Sequence, residues 1–326
     1  MPREQRRPVG FPTRRPTQVS SPAATPAGHP VIRQVMGERY QGQETRRELF
    51  KTLDRLLGRP VVAFCTSFTQ PVMISDQDID MVEGVLQKMH LDKGLALLIS
   101  SPGGMALASE RLINVCRSYS GTGEYWAIVP SKAKSAGTLA CFGASKILMS
   151  STSELGPVDP QLVYRGEDGI QARYSVFNVL KSYHELFNKA VKVKGNLQPF
   201  LQQLDRYDSR EMQECQSELD LTKDISLRAL SSGMMQGRSK KQIEKNIQVF
   251  LSPKMTKSHG RAIYADEAIA CGLNVEKQAL DSELWAICYE TYIRMNQFCS
   301  GNASKCVETA DHGYNAPPVR EGEDNE

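Results

Sequence analysis

The sequence has no apolar stretch approaching the roughly 18–20 residues needed to cross a bilayer. Its first residues, MPREQRRPVGFPTRRPTQ, carry the charge of a signal peptide's opening segment but no apolar segment behind it, which argues against secretion by that route. Net charge is scarce: 40 Lys and Arg against 37 Asp and Glu leave +3, too little to argue for a nucleic-acid partner. None of the eight cysteines forms a Cys-x-x-Cys pair, so neither a zinc site nor a disulfide framework is indicated. Several sit in apolar contexts, as reduced core thiols do, and this points to a reducing, cytoplasmic compartment; Cys299 and Cys306, near a polar segment, fit that reading least. There is no internal repeat and no Walker A sequence, so any ATP-driven unfolding would have to come from a separate ATPase partner.

What is present is a soluble-protein composition, 40% apolar and 24% charged, on a chain long enough for one or two domains. Residues 1–43, rich in Pro, Arg, Ser, Thr and Gln, read as a disordered basic tail. Residues 44–57 have helical spacing through Leu49, Phe50, Leu53, Leu56 and Leu57, stopped by Gly58 and Pro60. RPVVAFCTSF is a short buried strand and 76–90 an amphipathic helix capped by Asp76. Leu95–Ser100 is a continuous apolar run of the kind covered on both faces, followed by a helix over 105–119 and strands at 125–129 and 147–149. This alternation is βαβ logic with right-handed crossovers, hence an α/β fold. Beyond Tyr174 the pattern turns helical (174–193, 208–235, 239–249, 264–271, 279–297), and the long charged segment within 208–235 suits a helix lying on the surface or against another subunit. Residues 300–326 read as a disordered tail, acidic at its end.

Two strand-to-helix turns concentrate the chemistry. Ser100-Ser101-Pro102-Gly103-Gly104 lets the backbone turn sharply and leaves amides unobstructed, able to hold a phosphate or an acyl-transfer oxyanion. Lys134-Ser135-Ala136-Gly137-Thr138 places a serine among small residues like a nucleophile elbow, though it is not G-x-S-x-G; the bland alternative is that Ser135 merely caps the helix. Parallel strands deliver both turns to one sheet edge, where crevice sites form.

Taken together, Ser-Pro-Gly-Gly after a strand and Ser-Ala-Gly-Thr some thirty residues on resemble the ClpP/crotonase fold. FGASKILMSSTSELGPVDPQ and SHGRAIYADEAIACGLNV narrow this to the serine dehydrogenase proteinase family, relatives of the SppA signal peptide peptidases, over roughly residues 55–280. The resemblance implies a serine peptidase with Ser135 as nucleophile and Gly103, Gly104 and the Ala136 amide at the oxyanion. ClpP-type enzymes have a histidine about 25 residues after their serine, but no histidine lies between His90 and His184 here. SppA-type enzymes use a lysine 40 to 50 residues on, so Lys181, in YSVFNVLKSYHELF, is the expected base and His184 its rival. The base must lose charge through burial if it is to accept the serine proton. Lys132 and Lys134 are expected to meet substrate or solvent. The loop Glu154–Pro160, with Asp159, is implied to border the substrate groove, or else is a structural turn; Arg261, after His259, reads as structural or intersubunit.

The expectation is therefore a ClpP/crotonase-type α/β core over residues 44–299 with a helical C-terminal extension, between two tails. It would hydrolyse peptide bonds in peptides or unfolded proteins through a Ser–Lys dyad, with no metal or organic cofactor, and self-associate as relatives do. Two competing functions stay open: a crotonase-like acyl-CoA enzyme, which would need acid–base groups over a thioester, and a catalytically silent peptide-binding scaffold.

Overall fold

Parallel strands with both faces covered need apolar residues at every position, and the first two strands meet that demand. A computed structural model describes residues 37–38, 41–165, 171–256 and 258–319. β1 (Val61–Thr66, VVAFCT) and β2 (Leu95–Ser100, LALLIS) are buried along their whole length. Their side chains alternate between two cores. Val62, Phe64, Leu95, Leu97 and Ile99 face one, and Val61, Ala63, Cys65, Ala96 and Leu98 face the other. Each fully buried Val, Leu, Ile or Phe contributes about 1.5–3 kcal/mol.

β3 (Tyr125–Val129), β5 (Lys146–Met149) and β9 (Val275–Lys277) continue the parallel sheet outward from β2. On the other side β1 pairs antiparallel with β10 (Lys305–Glu308), which pairs antiparallel with β11 (Gly313–Ala316). The order is thus β11-β10-β1-β2-β3-β5-β9. Helices α2 (Asp76–Leu86), α3 (Ala106–Tyr119) and α4 (Ala136–Phe142) cover one face, with part of α7 (Ser209–Ser231) beyond them. α1 (Arg47–Leu57) and α12 (Glu283–Cys299) cover the other. The two-stranded pieces β4–β6 (Lys132–Ala133, Glu154–Leu155) and β7–β8 (Gln161–Arg165, Gln171–Ser175) stand beside the sheet's C-terminal edge. α5 (Val176–Lys192) and α6 (Gln198–Leu204) follow them, and α8 (Lys240–Asn246), α9 (Gln248–Leu251), α10 (Pro253–Thr256) and α11 (Ala265–Ala270) lead to β9.

Most of residues 1–43, and residues 320–326, lie outside the described residues. Residues 300–319, expected as tail, instead supply β10 and β11, and Cys306, Val307 and Glu308 are buried. Arg46 is fully buried: its guanidinium meets Glu308 at 2.6 and 2.8 Å and Glu38 at 3.0 Å, joining the two ends of the described chain. The long charged helix α7 is not simply a surface element either. Ile225, Leu227, Ala229 and Leu230 in its second half enter the main core, while Met212 and Cys215 in its first half form a small satellite core with Val176 and Leu180 of α5.

All eight cysteines are free and buried. Burial pushes the Cys116 and Cys288 thiols up to about 12 and Cys271 to about 11. Cys299 and Cys306, the two that fitted a core least, lie with their sulfurs 3.2 Å apart between α12 and β10.

Candidate active site

The nucleophile turn is strained. Ser135 has φ 49° and ψ −114°, and it is the only residue other than glycine with positive φ among the described residues. Such a backbone costs of order 1–3 kcal/mol and persists only where its surroundings over-determine it. Ser135 stands at the N-cap position of α4 but makes no side-chain capping bond to it, so its hydroxyl is not spent on the helix end. Its side chain lines a cavity of about 230 Å³ with Gly103, Gly104, Leu139, Val158 and His259.

The strain is held by bonds on both sides of the serine. The Thr138 hydroxyl donates to the Ala133 carbonyl at 2.7 Å and accepts from the Gly156 amide at 3.0 Å. Lys134, expected to meet substrate or solvent, turns back instead: its ammonium pairs with Glu154 at 2.8 Å and donates to the Leu155 carbonyl at 3.1 Å. The same Leu155 exchanges two backbone bonds of 3.0 Å with Ile263. Leu155 therefore joins the nucleophile turn, the Glu154–Pro160 loop and the segment after His259.

The two glycines divide their work. Gly103 lies against the nucleophile, and a Cβ there would stand 2.7 Å from Ser135 Cβ. Its amide is occupied, donating to Ser101 Oγ at 3.1 Å, and its carbonyl accepts from Ile74. Gly104 forms a parallel bridge with Ile74, in which Ile74 bonds the flanking Gly103 and Met105. That pattern turns the Gly104 N–H away from Ile74. A Cβ on Gly104 would fall 2.3 Å from Ile74 backbone atoms, so no other residue fits without moving the loop. Of the two glycine amides, that of Gly104 is thus the one not taken up by these bonds, and the Ala136 amide stands beside it at the start of α4.

The base expected from spacing is elsewhere. Lys181 lies on α5, its side chain 47% exposed and paired with Glu185 at 3.6 Å. It does not line the Ser135 cavity. His184 is exposed on the same helix and packs edge-on against Tyr183. What the fold places on the wall of the Ser135 cavity is His259, a residue given no role from the sequence. Its Nδ1 is 2.7 Å from Asp159 Oδ1. Asp159, expected at the substrate groove, is buried to 1% exposure, and its second oxygen has no protein partner among the described residues. A carboxylate oxygen at this distance accepts from a ring N–H, which turns the other ring nitrogen, Nε2, away from Asp159. The missed signal was local: Ser-His-Gly is a tight polar turn just ahead of α11, 124 residues after Ser135 and far outside the spacing of about 25 residues seen in ClpP-type enzymes. No group of His, Cys, Asp and Glu suited to a metal ion occurs among the described residues.

The family model of ClpP-like SDH-type serine proteinases matches residues 56–180. Two uncharacterized proteins of Methanocaldococcus jannaschii are similar. MJ0137 is 35% identical over 107 residues, 33% of this chain and 34% of the relative; MJ1495 is 29% identical over 131 residues, 39% and 37%. The chain thus matches little more than a third of the length of these curated relatives. Two solved mutants of the 1510-N membrane-bound stomatin-specific protease are also similar. One, in complex with a substrate peptide, is 14% identical with a TM-score of 0.29 and covers 68% of this chain and 94% of its own; the other is 15% identical with a TM-score of 0.28, covering 64% and 93%. Residues 56–180, the span that matches the model of ClpP-like SDH-type serine proteinases, carry the strained Ser135 turn, the Gly104 and Ala136 amides and Asp159.

Proposed function

We propose that this protein hydrolyses peptide bonds through an acyl-enzyme on Ser135, with His259 as general base and Asp159 as the residue that orients it. The observation that carries this reading is the 2.7 Å bond from His259 to buried Asp159, at the wall of the cavity that also holds Ser135. Ser135 Oγ attacks the scissile carbonyl carbon while its proton passes to His259 Nε2. The carbonyl oxygen becomes an oxyanion facing the amides of Gly104 and Ala136. Collapse breaks the C–N bond as His259 returns the proton to the leaving amine. Water then repeats the sequence, releasing the acid and restoring Ser135.

A Ser135–Lys181 dyad draws no support from Lys181's exposed, ion-paired position. Self-association, a separate ATPase partner and a cytoplasmic setting belong to the same proposal; a native-mass measurement tests the first, and the last agrees with eight unpaired thiols.

The test is labelling by a serine-acylating β-lactone, read as intact mass. One adduct is expected on the wild type, none on Ser135→Ala, strongly slowed labelling on His259→Ala, and normal labelling on Lys181→Ala. An adduct that survives Ser135→Ala overturns the nucleophile. Loss in Lys181→Ala with retention in His259→Ala returns the base to Lys181.

A further inference from the structure

His259 stands between two cavities. On one side is the cavity of about 230 Å³ with Ser135. On the other is a larger one of about 690 Å³, lined by Tyr174, Ser175, Asn178, Val179, Ser182 and Tyr207. Gln161, Arg173 and His259 line both, so the two meet at that wall.

We infer that the larger cavity receives the leaving-group half of the substrate, and that Arg173 within it recognises a carboxylate on that half. This rests on the peptidase reading above. The acyl half stays on Ser135, in the first cavity. The leaving amine must take its proton from His259 Nε2, so the residues after the scissile bond pass the imidazole and leave on its far side. There the chemistry is one-signed. Among the described lining residues of the larger cavity, Arg173 is the only permanent cation and none is Asp or Glu; Glu218 lines only the first cavity.

Arg173 has no ion pair with any described residue. In the β7–β8 ladder it lies directly opposite Val163, which lines the Ser135 cavity, so the two share one face of the hairpin. The first two turns of α5 supply neutral hydrogen-bonding groups beside it, Asn178 and Ser182 one helical turn apart, with Tyr207 3.1 Å from the Ser182 hydroxyl. The amino end of a 17-residue helix adds positive potential to the same space. A guanidinium among neutral donors, with no acid among the described residues lining the larger cavity, suits a carboxylate, which it holds by two parallel bonds.

That carboxylate has two sources: an Asp or Glu side chain soon after the scissile bond, or the free carboxyl terminus of a short leaving peptide. A matched peptide set distinguishes them. All members share one acyl half. Their leaving halves carry Glu with an amidated end, Ala with a free carboxylate, Ala with an amidated end, or Lys with an amidated end. Relative kcat/KM is read by mass spectrometry on the full chain, with an acyl ester of small leaving group as a control for Ser135 chemistry.

At least one carboxylate-bearing leaving half should be cleaved about five- to tenfold faster than the neutral amide. The ratio should collapse toward one in Arg173→Gln and turn in favour of Lys in Arg173→Glu. The member that is favoured identifies the source. A wild type that turns over the ester and cleaves all four peptides alike would overturn the inference and leave the peptidase reading standing. A preference unchanged in both Arg173 variants would overturn the role of Arg173. Failure of the ester to acylate Ser135 would remove the peptidase reading and this subsite together.

Discussion

The turn at Ser135 and the helix at Lys181 are 46 residues apart in the chain and differ in nearly every physical respect. The turn is sandwiched between β2's glycine loop and the Glu154–Pro160 loop, its strained backbone fixed by Thr138 and Lys134. The helix rests on a small satellite core and exposes its polar face to water. A lysine becomes a base only where burial strips its charge, and a histidine acts on a serine only where something aims its ring. The exposed face of α5 provides neither. The segment after α10, 124 residues from the serine, provides the second through Asp159. Distance along the chain is a weak guide to the partner of a nucleophile; a buried carboxylate with an unmet oxygen is a stronger one.

Exchanging the roles of the two regions is the most severe way to break this contrast. His259→Ala is expected to lower kcat/KM for a peptide by about 10⁴-fold, with Asp159→Asn close behind at about 10³–10⁴-fold. Lys181→Ala should stay within about twofold, as a surface ion pair contributes little. Steady-state kinetics on the three variants checks this, and a large loss in Lys181→Ala alone would reverse the comparison.

The glycine loop offers a finer cut. Gly104→Ala must displace either the loop or Ile74, moving the Gly104 amide away from the oxyanion. A loss of about 10²–10³ in kcat is expected, with a smaller change in KM. Near-normal kcat would show that Ala136 alone suffices.

Lys134 tests whether the turn is held from outside. Lys134→Met removes the ties to Glu154 and Leu155, and should lower kcat about tenfold with KM little changed. Lys134→Arg should restore part of the loss, because a cation still reaches Glu154. A KM effect alone, without rescue, would make Lys134 a substrate contact, as its sequence position first suggested.

The smallest effect lies at the opposite end of the sheet. Asp54 accepts from the Val61 amide at 2.7 Å, and burial pushes its carboxyl up to about 6. The folded state therefore holds this proton more tightly than the unfolded one. The resulting stabilisation is complete below the unfolded value of about 4 and is lost as pH rises through about 6. Between pH 5 and pH 7 the melting temperature of the wild type should fall relative to Asp54→Asn by less than about 4 °C, since the group is partly exposed. Parallel pH profiles of the two proteins would remove Asp54 from the account.

Much of the fold was legible because its signals are local. Continuous apolar runs at 61–66 and 95–100 can only be strands covered on both faces, and helical spacing between them dictates crossovers. Ser-Pro-Gly-Gly and Ser-Ala-Gly-Thr advertise turns that need small residues, which placed Gly104, Ser135 and Ala136. Strands β10 and β11 were not legible. KCVE and GYNA are four residues each, and only their pairing beside β1 makes them strands.

The sequence by itself therefore determined the α/β core, the crevice edge and the Ser135 turn, because backbone turns and apolar period are properties of adjacent residues. The tertiary structure alone decided which histidine shares a cavity with Ser135, which glycine amide is free, and where the last described strands pair. Each of those depends on residues far apart in sequence meeting in space: Asp159 with His259, Gly104 with Ile74, and Arg46 with Glu308.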